Sequence, residues 1–349
     1  MTPRQRLLIS LGAIVLAPCA AAAGWWYYWP TYRLHEAEAA LAAGDLARAE
    51  QLLKELTFQK PAQARVYLLY AQAMRRSNQP LAAQRALYEA TQLGLPDAER
   101  RRELALTQAA KQFSASVERN LLAVLEDNPR DEEIVRALAD GYANTRRWVD
   151  ADRYYSRWLE LAPESLEAWL ARGHARLTAV SYQYGRAEDG AADFREVLRR
   201  VPEHYEARLY LAHCLMSDAR MAEAKKELLV CRQQRPDSLE PLVGLAACAV
   251  EDRNWDDAET LLKQALEREP RSTYALSMLG DLCLRRQQYE RAISSFQQVL
   301  ELTPGDQAAH LKLAQALRAV GKPDQAEPHE RLFEQLRAQN QALRDAEGR

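Results

Sequence analysis

Apolar residues along this chain recur in pairs of short runs, each run at helical spacing and each pair split by a polar turn. The stretch from Thr273 to Asp306 shows the pattern most clearly. Leu276, Leu279, Gly280 and Cys283 share one helical face, and Arg285–Gln288 form a polar turn. Ala292, Phe296 and Val299 then mark one face of a second helix. Pro304 ends that helix, because proline has no amide hydrogen and clashes with the preceding turn. The unit predicted over 273–306 is a helix hairpin, with a small residue where its two helices must come close.

The same places recur at a fixed period. One unit earlier they hold Leu242, Leu245, Ala246, Ala258, Leu262, Ala265 and Pro270. Before that they hold Leu211, Ala212, Leu215, Ala224, Leu228, Cys231 and Pro236. Val135, Leu138, Ala139, Tyr142, Ala151, Tyr155, Trp158 and Pro163 match further back. Two helices per period of this length are the signature of an α-solenoid. These residues resemble the tetratricopeptide repeat, in which a large residue, Leu-Gly/Ala, an aromatic, Ala, an aromatic, Ala and Pro follow one another. The resemblance covers roughly nine units over about 30–340. It implies an all-α fold, a right-handed solenoid of tetratricopeptide-like hairpins.

Two units depart from the pattern. The unit 98–131 has Arg101 and Gln108 where large apolar residues are expected, although Leu104, Ala105, Leu121 and Pro129 fit. The unit from Leu166 to His204 carries extra residues. Trp169, Gly173, Phe194 and Pro202 fix its register, so the insertion falls within Thr178–Gly190, between its two helices.

The chain opens differently. Arg4 and Arg6 precede Leu7–Trp29, a run without a charged residue that closes on Trp25, Trp26, Tyr27, Tyr28 and Trp29. As a helix it would be about 35 Å long, against a bilayer core of about 30 Å. Aromatic rings with polar tips favour the membrane–water interface. The run therefore reads as an uncleaved signal anchor after a cytoplasmic tail, 1–6, with the repeats outside. A cleaved signal peptide is an alternative, with an apolar region Leu7–Ala17 and a cleavage site among Ala20–Ala23. A lipoprotein signal at Leu16-Ala17-Pro18-Cys19 is another, although Pro18 sits where a small residue belongs. The aromatic cluster favours the anchor, since a cleaved chain would begin on exposed rings. Pro30 then starts the first repeat with almost no linker, which places that repeat close to the bilayer. At the other end, Pro328 precedes a polar helix from His329 to about Arg344. Its Glu330, Arg331, Glu334, Gln335, Arg337 and Gln341 suit a terminal cap, and 341–349 reads as a frayed tail.

Composition narrows the chemistry. The 349 residues carry a net charge of −2, with no global basic field for nucleic acid. Five cysteines include no C-x-x-C pair. Cys214, Cys248 and Cys283 follow the repeat, as small apolar core residues would, and Cys231 replaces a small residue on a second helix. Cys231 and Cys248 could pair across adjacent helices if the solenoid is outside the cytoplasm. His174 and His213 hold equivalent places but lack further ligands, so no metal site is expected. No nucleophile–base motif, Gly-rich phosphate loop or H-E-x-x-H motif is present, so no cofactor, small-molecule substrate or enzyme activity is indicated.

The family resemblance implies that first helices line a partner-binding groove. Carried over place by place, Arg65, Arg75, Arg76, Arg102 and Arg136 line its N-terminal half. Leu170, His174, Leu209, His213, Met216 and Val243 line its middle, and Glu240, Glu251, Asp281 and Arg285 follow. Arginine holds carboxylates in a bidentate grip and Met adapts to apolar partners. The expected partner is a peptide or protein with an acidic part and an apolar anchor. The family's Lys/Asn clamp for an acidic chain terminus is missing, because Leu34, Glu38, Leu68 and Gln72 stand at its places. Tyr182 and Tyr184, in the inserted loop, are a candidate second contact. The expected function is a membrane-anchored protein-binding scaffold in a bacterial envelope complex. An accessory factor in envelope polysaccharide, peptidoglycan or protein-export assembly is the alternative, with few sugar-stacking aromatics beyond Tyr274 to support it.

Overall fold

A computed structural model describes residues 29–58, 63–180 and 184–347, with side chains as far as 339. Apart from Trp29, the predicted membrane segment lies outside the described residues, as do Cys19 and Tyr182. All the regular structure among the described residues is helical. Helix α1 (29–43) pairs with α2 (Leu46–Thr57), α3 (Ala64–Arg76) with α4 (Pro80–Gln92), and α5 (Asp97–Lys111) with α6 (Ala115–Asp127). Then α7 (Glu132–Asn144) pairs with α8 (Trp148–Leu161), α9 (Leu166–Val180) with α10 (Ala187–Arg200), and α11 (Tyr205–Ser217) with α12 (Met221–Gln234). The last three hairpins are α13 (Glu240–Glu251) with α14 (Trp255–Arg268), α15 (Thr273–Arg285) with α16 (Tyr289–Leu302), and α17 (Gln307–Ala319) with α18 (Pro323–Glu347). The expected hairpin series is therefore present. It falls into two compact units, one ending at Glu164 and one beginning at Ser165.

Local chemistry sets the boundaries of each hairpin. Asp131, Ser272 and Asp306 cap α7, α15 and α17 by accepting from the amides of Ile134, Ala275 and Ala309. They satisfy donors that a helix start leaves orphaned. Between the two helices of a hairpin the chain turns through one left-handed residue, Asn78, Arg146, Ala219, Arg253 or Gln287. The next amide then bonds five residues back, as Arg220 N does to the Leu215 carbonyl at 2.8 Å and Gln288 N to Cys283 at 2.8 Å. Inside the hairpin, Ala224, Ala258 and Ala292 are fully buried. A Cβ on Gly280 would stand 2.6 Å from the Phe296 ring, so that place must stay small. Within each unit, first helices of successive hairpins touch one another, as α3 does α5, α5 α7, α11 α13 and α13 α15. Second helices pack chiefly on the flanking first helices.

The structure refines the expectations at the insertion and at the C-terminus. The insertion after α9 is shared: α9 has 15 residues where α11 and α15 have 13, and the connection 181–186 is longer than the three-residue turn 218–220. The backbone closes by the usual bond, from Tyr184 N to the Ala179 carbonyl at 3.0 Å. The C-terminal cap is not a separate helix after Pro328. Proline lies inside α18, which runs unbroken for 25 residues through Glu347, so 341–347 is helical where a frayed tail is predicted. Pro323 opens the helix at a place where its missing amide costs nothing, and Pro328, in the second turn, forgoes one ladder bond without ending it.

No helix among the described residues is long and apolar enough to cross a membrane.

Candidate partner-binding surfaces

In the N-terminal unit the first-helix arginines are already engaged. Arg75 is nearly buried and its Nε donates to Glu103 Oε1 at 2.8 Å, while one of its NH2 groups donates to Glu133 Oε1 at 2.8 Å. Arg102 grips Asp131 through Nε (2.5 Å) and one NH2 (3.0 Å), and that NH2 also reaches Glu133 at 3.0 Å. Arg76 stands 3.5 Å from Glu133 and donates to the Leu41 carbonyl. The network ties α3, α5 and α7 together through charge. Burial alone would raise the Glu133 carboxyl, but Arg75, with Arg76 and Arg102, holds it at about 2. Glu103 is 1 % exposed, and burial pushes its carboxyl up against the pull of Arg75. Arg65 is exposed and meets Glu38 at 3.2 Å and Glu99 at 3.8 Å. Arg136 lies over the Trp158 ring at 5.2 Å and beside Asp140 at 3.5 Å. Arg75 and Arg102 are thus cross-braces of the stack rather than free receptors for an acidic peptide. Their acidic partners sit one to two repeats further along the chain, a signal legible only when successive repeats are aligned for charge.

The C-terminal unit presents a different face. His174, exposed on α9, meets Tyr210 of α11 edge-on at 5.3 Å between ring centres. Tyr210 leans on Phe194 at 5.5 Å, and His213 flanks it at 6.4 Å. Burial lowers the His213 pKa, favouring the neutral imidazole. Leu170 and Met216 are half-buried and pack on the same cluster. Tyr210, absent from the sequence-derived set, is the residue that joins the two histidines. Two expected lining residues do not belong there. Val243 is fully buried and Leu209 is 7 % exposed, because adjacent first helices close over them. Further along, Tyr274 is 54 % exposed.

Beside this face, the long connection of the α9–α10 hairpin leaves Tyr184 42 % exposed. Its base is rigid. Asp193, 1 % exposed, accepts two bonds from Arg172 (3.1 and 2.7 Å) and one from Arg176 (3.0 Å). A Cβ on Gly173 would come within 2.9 Å of the Phe194 ring.

Cys214, Cys231, Cys248 and Cys283 are free and buried, so Cys231 and Cys248 are not bridged. Burial pushes the thiol of Cys214 up to about 12 and that of Cys231 to about 11. No His, Cys, Asp or Glu cluster among the described residues could hold a metal ion.

One tetratricopeptide repeat model matches residues 249–307, and a second matches 181–230 and 284–346. No curated protein matches the chain by sequence. Among solved structures, a thermophilic TPR protein of Thermus thermophilus is 19 % identical, with a TM-score of 0.46, over 53 % of this chain and 98 % of that one. Yeast Tom70 is 18 % identical, with a TM-score of 0.45, over 82 % of this chain and 59 % of that one. MamA from Desulfovibrio magneticus RS-1 is 18 % identical, with a TM-score of 0.42, over 50 % of this chain and 96 % of that one. The family models, on top of the helix hairpins themselves, show tetratricopeptide repeats within residues 181–230 and 249–346 of this chain.

Proposed function

We propose that the chain is a membrane-anchored scaffold that binds protein or peptide partners on the first-helix face of its C-terminal unit, in a bacterial envelope complex. The observation that carries this reading is the His174–Tyr210–His213 face, with Leu170 and Met216 beside it. It is apolar, aromatic and partly open, whereas the N-terminal face is neutralised by its own carboxylates. A partner with an aromatic or aliphatic anchor suits it, because rigid rings and adaptable Met side chains supply contact area at small entropic cost. Arg65, Arg76 and Arg136 keep part of their surface and serve at most as a polar rim. The anchor is Leu7–Trp29, with the N-terminus in the cytoplasm and the repeats outside; the uncharged run and its aromatic edge support it.

The test is recovery of partners from detergent-solubilised membranes, identified by mass spectrometry. His174→Ala with Tyr210→Ala should lose at least one partner that the wild type retains, with helicity unchanged. Retention of every partner would remove this face from the reading. The Tyr182–Tyr184 loop is a second contact in the same scheme. Deleting Ser181–Gly185 should leave melting nearly unchanged and weaken one partner; full retention would reduce the loop to a longer turn.

A further inference from the structure

Among the described residues, the two most exposed large apolar side chains are Phe58 (78 %) and Tyr32 (67 %). They are far apart in sequence yet stand at the same end of the first hairpin. Arg33 on α1 donates to Glu55 on α2 at 2.7 Å, which fixes the height of the two antiparallel helices relative to each other. Counting three residues on from Glu55 and three back from Arg33 sets Phe58 level with Pro30. Tyr32 is three residues from Trp29, about 4.5 Å along the helix axis at 1.5 Å per residue, and on the same side. Arg33 lies over the Trp29 ring at 5.4 Å, and Tyr67 of α3 donates to the Thr57 carbonyl at 3.3 Å. Lys54, exposed in the last turn of α2, adds a cation. This is also the end at which the uncharged Leu7–Trp29 run enters the hairpin, with no spacer between them.

We infer that this end of the first hairpin rests in the interfacial layer of a lipid bilayer, with Tyr32 and Phe58 inserted among the headgroups. The inference rests on the anchor reading above and adds an orientation to it. Rings such as Tyr and Phe lose unfavourable water contact at the headgroup–acyl boundary, and Lys54 beside them favours anionic headgroups, while Arg33 is paired with Glu55 and Glu36. If Trp29 marks the membrane edge, Tyr32 and Phe58 lie within about 5 Å of its level, inside an interfacial layer some 5–10 Å deep. The opposite end of the next hairpin is the internal contrast. Leu81, at the start of α4, is 62 % exposed but lies a full helix length from the α3 start that adjoins Phe58.

The test uses the full-length chain in vesicles of phosphatidylcholine and phosphatidylglycerol. Cys19→Ser removes the thiol in the apolar run, and the four buried thiols stay unlabelled in the folded protein. Nitroxide labels are placed singly at Phe58→Cys, Tyr32→Cys and Leu81→Cys, all exposed places where a label leaves the fold intact, as circular dichroism should confirm. Labels at 58 and 32 should be shielded from a water-soluble nickel relaxant several-fold more than the label at 81, and should gain in oxygen accessibility. Equal nickel accessibility at 58, 32 and 81 in a chain that resists alkaline carbonate would overturn the interface and leave the anchor standing. Recovery of the chain in the carbonate-soluble fraction, with an N-terminus near Gly24, would overturn the anchor and the interface together.

Discussion

The two units use one hairpin and two kinds of glue. In the N-terminal unit, α3, α5 and α7 are held by Arg75, Glu103, Glu133, Arg102 and Asp131. In the C-terminal unit the corresponding helices α11, α13 and α15 bury Leu209, Val243 and Leu282, and the ion pair between α13 and α15, Arg285 with Glu251 at 3.7 Å, is exposed. The turns, the small residues between paired helices and the prolines are shared. The contact between successive first helices is therefore free to vary while the hairpin stays constant. Where charge fills that contact, the face is occupied by its own partners. Where apolar residues fill it, polarity is left to the rim, and rings such as Tyr210 remain open to a partner.

Breaking the ionic brace is the harshest test of that contrast. Arg75→Ala strands Glu103 at 1 % exposure with its principal partner gone. Removing one member of a buried pair costs about 3–5 kcal/mol, whereas replacing both by apolar residues of similar size is often neutral. Thermal and urea unfolding should thus show a large loss for Arg75→Ala and a small change for Arg75→Met with Glu103→Leu. Equal losses would mean that the brace acts through packing, as the C-terminal unit does.

The C-terminal unit should be vulnerable to volume instead. Gly280→Leu drives atoms into the Phe296 ring, which already stands 2.6 Å from where a Cβ would be. Overpacking costs about 1–3 kcal/mol. Because the clash is with a single ring, adding Phe296→Ala should recover part of the loss, a non-additivity expected of residues in contact. An unchanged melting curve for Gly280→Leu would show that helices α15 and α16 are not packed through this place.

These two cases also mark how far the sequence can be read. Gly280 and Phe296 sit at repeat places, so the hairpin, its period and its nine-fold recurrence are legible from apolar spacing alone. Arg75 and Val243 sit at places that line a groove in the family, yet one is paired and the other buried. A repeat template specifies which side of a helix a residue is on. It does not specify how close the next first helix comes, or which carboxylate of that helix is within reach. Tyr210 escapes a sequence reading for the same reason: its partners Phe194, His174 and His213 come from three helices. The cap boundary expected at Pro328 fails because the helix already starts at Pro323 and continues through Pro328 despite the ladder bond lost there.

Acid should separate the units. Five of the six histidines lie beyond Ser165, and His35, exposed, is the one in the N-terminal unit. His310 is buried and its Nε2 donates to the Pro304 carbonyl at 2.9 Å. A neutral His310 can then only accept at Nδ1, so His329 Nδ1 donates to it across 2.9 Å. Burial, and then His310, hold the His329 pKa below its ordinary 6.5, and burial does the same for His213. A lowered folded pKa means that the unfolded chain binds more protons, so this stability is complete above pH 6.5 and is lost as pH falls below it. The N-terminal brace behaves otherwise. Glu133, at about 2 against 4.5, contributes stability lost only as pH falls from 4.5 towards 2, with Glu103 offsetting part of it. Unfolding followed at pH 7.5, 6 and 5 should show the C-terminal unit weakening first. A Tm independent of pH down to 5 would break the link between the histidines and the α17–α18 packing.

The smallest expected effect sharpens what the units share. Asn78 and Ala219 occupy the same turn place, with φ of 57° and 58°. A residue with a Cβ loses about 1–2 kcal/mol in the left-handed region, less for Asn, whose short polar side chain bonds locally. Glycine removes that strain but adds freedom to the unfolded chain, at a cost of about 0.4–1 kcal/mol. The two nearly cancel at Asn78 and leave a net gain at Ala219. Gly44 and Gly321 already stand at this place in the first and last hairpins, so the turn accepts glycine without rearrangement. Ala219→Gly should raise Tm by roughly 1–3 °C and Asn78→Gly by less. If both substitutions lower Tm alike, backbone strain is not what these turns have in common, and the cost of chain entropy outweighs it in both units.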